Sequence, residues 1–169
     1  MRPLANNLDP ALQGLRTVVY ADGRLRTCWS EVTVHVVLPL LAGGTIYVLW
    51  RPTTLHFFKW ADLVGLNHLL LFLREVASVV CRPPTWVIFS APAGLWLYSF
   101  LAALHLTWRG TSKFAMMGWS LFAMTLAVGS EAGQFFAVPG TFDVQDVAAY
   151  AIAAVAVVVG VGRSTQKSR

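Results

Sequence analysis

Polar side chains collect in one short stretch of an otherwise apolar chain, between residues 129 and 146. Glu131 and Gln134 stand three residues apart, so a helix places them on one face. Asp143 and Asp146 follow a Pro-Gly turn signal and begin the next helical segment. Because the turn is short, these side chains can converge on a small acidic pocket. Such a pocket can hold a cation, the amine of a lipid headgroup, or an arginine from another part of the chain.

The two aspartates also have a purely structural interpretation, because aspartate is a frequent helix N-cap. Asp143 at the cap, with Asp146 three residues later, resembles a capping box. Capping does not account for Glu131, since a carboxylate in an apolar span costs about 2.5–3.5 kcal/mol at its centre. Its charge is therefore expected to face the bundle interior or water. The candidate arginine partners are Arg51 and Arg82.

Histidines are the other residues whose positions permit cofactor chemistry. His35 and His105 lie near the ends of two apolar segments, at similar predicted depth. Together they can ligate a tetrapyrrole, or each can simply bond backbone or lipid, and the expected cofactor is none. His56 and His68 are 12 residues apart and the two cysteines have no metal-binding spacing, so no metal site is expected. A Gly-x-Ser-x-Gly elbow and a P-loop are both absent from the sequence, which favours a non-enzymatic protein.

The composition places these residues in a membrane protein. Of 169 residues, 56% are hydrophobic and 12% are charged, and the mean hydropathy is +0.59. A soluble domain carries about 25% charged residues, so a disordered chain is excluded and a soluble enzyme disfavoured. The apolar residues form long blocks of the roughly 20 residues that a transmembrane helix needs. Four blocks predict spans, at about residues 32–50, 84–108, 114–138 and 145–162.

The stretch 62–80 is apolar but interrupted by polar residues, and it predicts one amphipathic helix in the membrane interface. Nine Lys and Arg residues then fall on the side of both termini and four on the other side. By the positive-inside rule, the tails 1–31 and 163–169 are cytoplasmic, and the protein is a multi-pass protein of the cytoplasmic membrane. The net charge of +5 is explained by these topogenic residues, so nucleic acid is not an expected partner.

Small residues in the spans predict close helix packing. Gly129 and Gly133 form a G-x-x-x-G pair, which lets a neighbouring helix approach closely. Pro92 and Gly94 in the second span are assigned the same packing role. The predicted fold is thus an all-α bundle of four transmembrane helices with one interfacial helix.

A Glu-x-x-Gln pair, a short turn and an Asp near the head of the last helix occur together here, as Glu131, Gln134 and the segment 142–146. This pattern resembles the VanZ-like family of small integral membrane proteins. The segment 87–94 is similar to the family's apolar-Phe-x-x-Pro-x-Gly motif, and the segment 46–65 resembles the extended first-span region of some members. The resemblance covers about residues 32 to 162.

Two positions depart from the family's usual pattern. Where the family often has an Arg in the turn and an Asn one helical turn after the Asp, this chain has Pro139-Gly140-Thr141 and Tyr150. The resemblance implies a four-helix membrane protein without an established reaction, acting among lipids at the outer surface. The alternative is a small accessory subunit of a larger membrane complex, in which the helices dock on other subunits.

Overall fold

The computed structural model describes residues 29–54, 56–109, 112–134, 136 and 142–167, and all regular structure within these ranges is helical. The predicted all-α class is confirmed for this part of the chain. The helices are α1 (Trp29–Trp50), α2 (His56–Leu63), α3 (Asn67–Val80), α4 (Thr85–Phe89), α5 (Ala91–Thr107), α6 (Lys113–Gly133) and α7 (Val144–Lys167).

Helix α1 contains a wide turn at Thr33–Val37, where the hydrogen bonds follow the π pattern. The N–H of Leu38 donates to the carbonyl of Thr33, five residues back. Pro39 explains this register, because proline lacks an N–H and its ring crowds the carbonyl four residues earlier. The wide turn includes His35, whose side chain reaches α5.

Helices α5 and α7 form the centre of the bundle. A Cβ at Gly94 would lie 3.1 Å from the Cβ of Ala149, so the two backbones pass very close together. The buried core continues along both helices through Leu101, Ala153 and Val157. Helix α1 packs on one side of this pair and α6 on the other. The ends of α1 and α6 and the starts of α5 and α7 therefore lie together, at what we call the α6–α7 end of the bundle.

The segment predicted as one amphipathic helix over 62–80 forms parts of two helices. Helix α2 ends at Leu63 and α3 begins at Asn67, and both are amphipathic. The break occurs at Gly65, whose φ of 76° lies in the left-handed region that glycine adopts without a steric cost. The predicted amphipathic character is correct, but the predicted continuity is wrong.

Two helices are long and apolar enough to cross a membrane, within the residues that the structure describes: Trp29–Trp50 and the part Val144–Val161 of α7. The predicted second span is divided at Ser90 into α4 and α5, and neither piece alone has the required length. The predicted third span corresponds to α6, which has 21 residues but includes Lys113 and Glu131. The four-span bundle predicted from the sequence is therefore supported at two of its four helices.

Helix boundaries differ from the predicted spans at both termini of the bundle. Helix α1 begins at Trp29, inside the predicted tail, and α7 continues to Lys167, so most of the predicted C-terminal tail is helical. Helix α6 ends at Gly133, five residues before the predicted end of its span. Residues 1–28 and 137–141 lie outside the described part of the chain.

Candidate acidic site at the α6–α7 end

Asp143 caps helix α7. Its Oδ1 accepts a hydrogen bond of 2.8 Å from the N–H of Gln145, and its carbonyl accepts one of 3.0 Å from the N–H of Asp146. The capping interpretation of Asp143 is therefore confirmed. Its carboxylate is engaged with the backbone of its own helix, and the chemistry of the site rests on the remaining residues.

Glu131 is the buried centre of the site, with only 6% of its surface exposed. Asp146 does not complete the capping box. Its carboxyl group lies instead close enough to the Glu131 carboxyl group for the two to interact electrostatically, and the main chain of Asp143 and the side chain of Gln134 are also neighbours of Glu131. The end of α6 and the start of α7 thus bring together the four residues predicted to form the polar site, Asp143 through its main chain.

Three oxygen atoms at this site are buried and accept no hydrogen bond from the described residues: Oε2 of Glu131, Oε1 of Gln134 and Oδ1 of Asp146. Buried oxygens without a donor are rare, because each costs about 1–3 kcal/mol of lost hydration. A positive charge or a hydrogen-bond donor would satisfy all three oxygens. The arrangement is therefore suited to a cation, an ammonium group or a proton shared between the carboxyl groups.

No arginine or lysine in the described residues forms an ion pair with these carboxylates. Arg51, one of the two predicted partners, donates instead to the carbonyl of Phe89 at 2.6 Å. Arg82, the other, is exposed. The alternative of an arginine in the pocket is therefore not met by Arg51, whose planar group lies between aromatic rings of α1 and α4.

Two buried polar residues at this end of the bundle were not among the site residues predicted from the sequence. Tyr150 is 8% exposed and interacts electrostatically with Glu131 and Asp146. Its position four residues after Asp146 places it on the same helix face, which is a signal that the sequence does contain. Ser90 is 2% exposed and its Oγ has no partner. It lies one turn before Gly94 on the face that meets α7, which only the tertiary packing reveals.

The composition of the site limits the cations it can hold. In the described part of the chain, no three His, Cys, Asp or Glu side chains come close enough to bind a metal ion together. The polar atoms at the site are two carboxylates, an amide oxygen and hydroxyl groups, all of them hard oxygen donors. These oxygens suit a weakly coordinated monovalent cation or an ammonium group better than a divalent ion, which takes six or more oxygens.

The two histidines considered for cofactor binding have separate environments. His35 Nδ1 and the Tyr98 hydroxyl are 2.6 Å apart, and His105 Nδ1 is 2.9 Å from the carbonyl of Leu101. His105 lines a cavity of about 670 Å³ between α5, α6 and α7, and His35 is not among the residues that line it. These environments give no support to tetrapyrrole ligation, the alternative considered for this pair.

The glycine and proline residues predicted to pack helices have different surroundings. Gly94 and Pro92 are buried in the α5 interface, as expected of packing positions. A Cβ at Gly129 would meet nothing within 4 Å, so this glycine packs no helix of the described chain. Ala149 and Ala153 of α7 pack within the bundle, Ala149 against Gly94 and Ala153 in the core.

Comparison with known proteins leaves the chain without an assigned family. No family model, no curated protein and no solved structure matches it. The resemblance to the VanZ-like family therefore rests on the motif residues alone, of which Glu131, Gln134 and Asp146 lie together at this site.

Proposed function

We propose that this chain is a VanZ-like, non-enzymatic integral membrane protein with four spans, which binds a cationic group at the outer membrane surface. The observation that carries the proposal is the buried Glu131 beside Asp146, with unpartnered oxygens and no basic side chain of the described chain paired to them. A carboxylate pair in a low-dielectric site binds a cation or keeps a proton, because two adjacent negative charges repel.

The exposed apolar surface supports membrane insertion. Large apolar side chains of α1, α6 and α7 are exposed at positions such as Leu41, Leu121 and Val158. Lipid would cover this surface, whereas monomeric soluble proteins rarely expose large contiguous apolar patches. Helices α4 and α5 together cover 85–107, which at about 1.5 Å per residue is long enough to cross the hydrocarbon as an interrupted span.

Cys81 offers a direct test of the proposed topology. It is an exposed free cysteine between α3 and α4, on the side predicted to lie outside. A membrane-impermeant maleimide should label it in intact cells carrying Cys28→Ser. The converse variant, Cys81→Ser, keeps only Cys28 of the predicted cytoplasmic tail, and it should react only after the membrane is opened. Labelling of both variants only in opened cells would contradict the orientation.

The cation-binding site is tested by thermal unfolding of the purified full chain in an uncharged detergent, titrated with sodium, magnesium or ethylammonium chloride. A cation that binds only the folded protein raises Tm, by about 2.7 kcal/mol of stability at a hundred times its Kd. We expect Glu131→Gln to abolish this rise. The variant should fold well without ligand, because a neutral amide removes the repulsion and can donate to Asp146.

Glu75→Gln is the matched control, because Glu75 lies on α3 and is exposed to solvent. It removes the same charge without touching the acidic site, so its cation dependence should equal that of the unchanged protein. If none of the three cations raises the Tm of the unchanged protein, or if Glu75→Gln and Glu131→Gln respond equally, the proposed cation site is wrong. Failure of Glu131→Gln to accumulate would indicate a structural role for the carboxylate.

A second candidate function, an accessory subunit of a membrane complex, is favoured by the open surface at Gly129. The same helix exposes Trp119 and Phe122, so α6 has an apolar face available to another protein. Gentle extraction followed by native mass measurement separates the two candidates. A single chain or homo-oligomer supports an autonomous surface function, whereas a stoichiometric complex with other polypeptides supports the subunit.

A further inference from the structure

Arg74 of helix α3 reaches across to the end of α1. Its Nη1 donates to the carbonyl of Val48 at 2.5 Å and its Nη2 to the carbonyl of Arg51 at 2.7 Å. Its guanidinium carbon also lies 5.1 Å from the centre of the Phe58 ring. These contacts hold the charged group at the carboxyl end of α1, whose partial negative charge favours it, but they supply no carboxylate to balance its full charge.

Arg51 is held in the same way, at the C-cap of α1. Its Nη2 donates to the carbonyl of Phe89 at 2.6 Å. Its guanidinium carbon lies 4.8 Å from the ring centre of Phe89 and 5.7 Å from that of Tyr47. The two arginines are neighbours, because Arg74 bonds the main chain of Arg51 itself.

Neither guanidinium group has a carboxylate partner among the described residues. Each carries five N–H donors, of which Arg51 uses one and Arg74 two in hydrogen bonds. The Nε of Arg51 is buried and without a partner. Burial lowers the pKa of Arg74, yet a guanidinium remains protonated at neutral pH. Two partly buried guanidinium groups thus belong to neighbouring residues of the fold, and neither is paired with a carboxylate of the described chain.

We infer that Arg51 and Arg74 form a binding site for a phosphate group. A phosphate supplies the negative charge that the pair lacks and several oxygen acceptors for their unused donors. Planar guanidinium groups bind phosphate with two parallel hydrogen bonds, and here their side-chain freedom is already restricted by the carbonyls and rings. Both residues are partly exposed, so a ligand can reach them.

The phosphate can belong to a lipid headgroup or to a free anion. The inference of a phosphate site depends only on the arrangement of the two arginines. A lipid as its source rests additionally on the proposed function, which places α3 and the end of α1 at the outer membrane surface. The acidic site of Glu131 lies at the same end of the bundle, and within the described residues no hydrogen bond or ion pair joins it to the two arginines.

The test is calorimetric titration of the purified full chain in an uncharged detergent. Inorganic phosphate is one probe, and dihexanoyl-phosphatidylglycerol below its critical micelle concentration is the other. We expect one bound probe per chain, and at least about tenfold weaker binding in Arg51→Lys and in Arg74→Lys, because lysine loses the bidentate geometry while keeping the charge. Tighter binding of the lipid identifies a headgroup site, and equal binding of both probes identifies a site for the phosphate alone.

Arg82→Lys is the matched control, since Arg82 is an exposed arginine between α3 and α4. It should bind both probes as the unchanged protein does. If neither probe binds the unchanged protein, the inference is wrong. Equal weakening of binding in all three variants would also contradict it. Glu131→Gln should leave phosphate binding intact, so a failed cation titration with intact phosphate binding refutes only the proposed function. Because the unchanged protein alone can refute the site, the test does not depend on the folding of any variant.

Discussion

Gly94→Leu should destabilise the bundle strongly, because α5 and α7 have no room for a side chain at this position. A Cβ there already lies 3.1 Å from the Cβ of Ala149 and 3.2 Å from its carbonyl oxygen. A leucine must push two backbones apart along the central interface. We expect a loss of about 3 kcal/mol, the upper part of the range for overpacking, which lowers Tm by roughly 10 °C in a chain of this size. Thermal unfolding in an uncharged detergent measures this loss.

Gly129→Leu is the control for this variant, since both add the same side chain to a helix glycine. Open space surrounds a Cβ at Gly129, so the isolated chain should keep its Tm or gain slightly from higher helix propensity. Equal losses in the two variants would contradict the close approach of α5 and α7. A Gly129→Leu variant that is stable when purified but separates from other polypeptides in cells would favour the accessory-subunit function.

Arg109→Ala should produce the second large loss of stability, at the opposite end of the bundle. Arg109 Nη1 lies 2.5 Å from Oε2 of Glu31, and it ties the start of α1 to the residues after α5. Glu31 is 8% exposed, so removal of the guanidinium group leaves a buried carboxylate without this ion-pair partner. Exposed pairs contribute about 1 kcal/mol or less, and loss of one partner of a buried pair costs about 3–5 kcal/mol. We expect a value between them, about 2 kcal/mol, because Arg109 itself reaches solvent.

Glu31→Gln should lower the free energy of unfolding less than Arg109→Ala does. The unpaired charge that it leaves is that of Arg109, which solvent can hydrate, whereas Arg109→Ala leaves the buried carboxylate of Glu31 unpaired. Lys113→Ala is the matched control, since Lys113 is an exposed basic residue four positions away. Chemical denaturation of the three variants measures their free energies of unfolding and so ranks their losses of stability. A loss in Lys113→Ala as large as that in Arg109→Ala would mean that overall charge, not the ion pair, stabilises this end.

Much of the acidic site could be predicted from the sequence, because its residues are close along the chain. The spacing of Glu131 and Gln134 on one helix, and of Asp143 and Asp146 after a short turn, determines which side chains can meet. The division of roles could not be predicted. Whether Asp146 completes a capping box or faces Glu131 depends on the angle between α6 and α7, which long-range packing sets.

The limits of sequence reasoning are clearest at the glycines and arginines. The G-x-x-x-G spacing of Gly129 is a general packing signal, yet the close contact occurs at Gly94, because α5 meets α7 there and no described residue lies within 4 Å of a Cβ at Gly129. Its charge makes Arg51 one candidate partner of the carboxylates in the sequence. The fold gives it the Phe89 carbonyl and Arg74 as neighbours, across sequence separations of 38 and 23 residues.

The sequence by itself determined the helical class, the apolar segments and the convergence of polar residues near the α6–α7 turn, since these follow from local periodicity and spacing. Only the tertiary structure decided which helices are neighbours, and therefore that Glu131 is buried with Tyr150 nearby and that Arg51 and Arg74 stand together. The physical reason is that periodicity specifies which side chains share a face of a helix. Which surface that face meets depends on packing among all the helices at once.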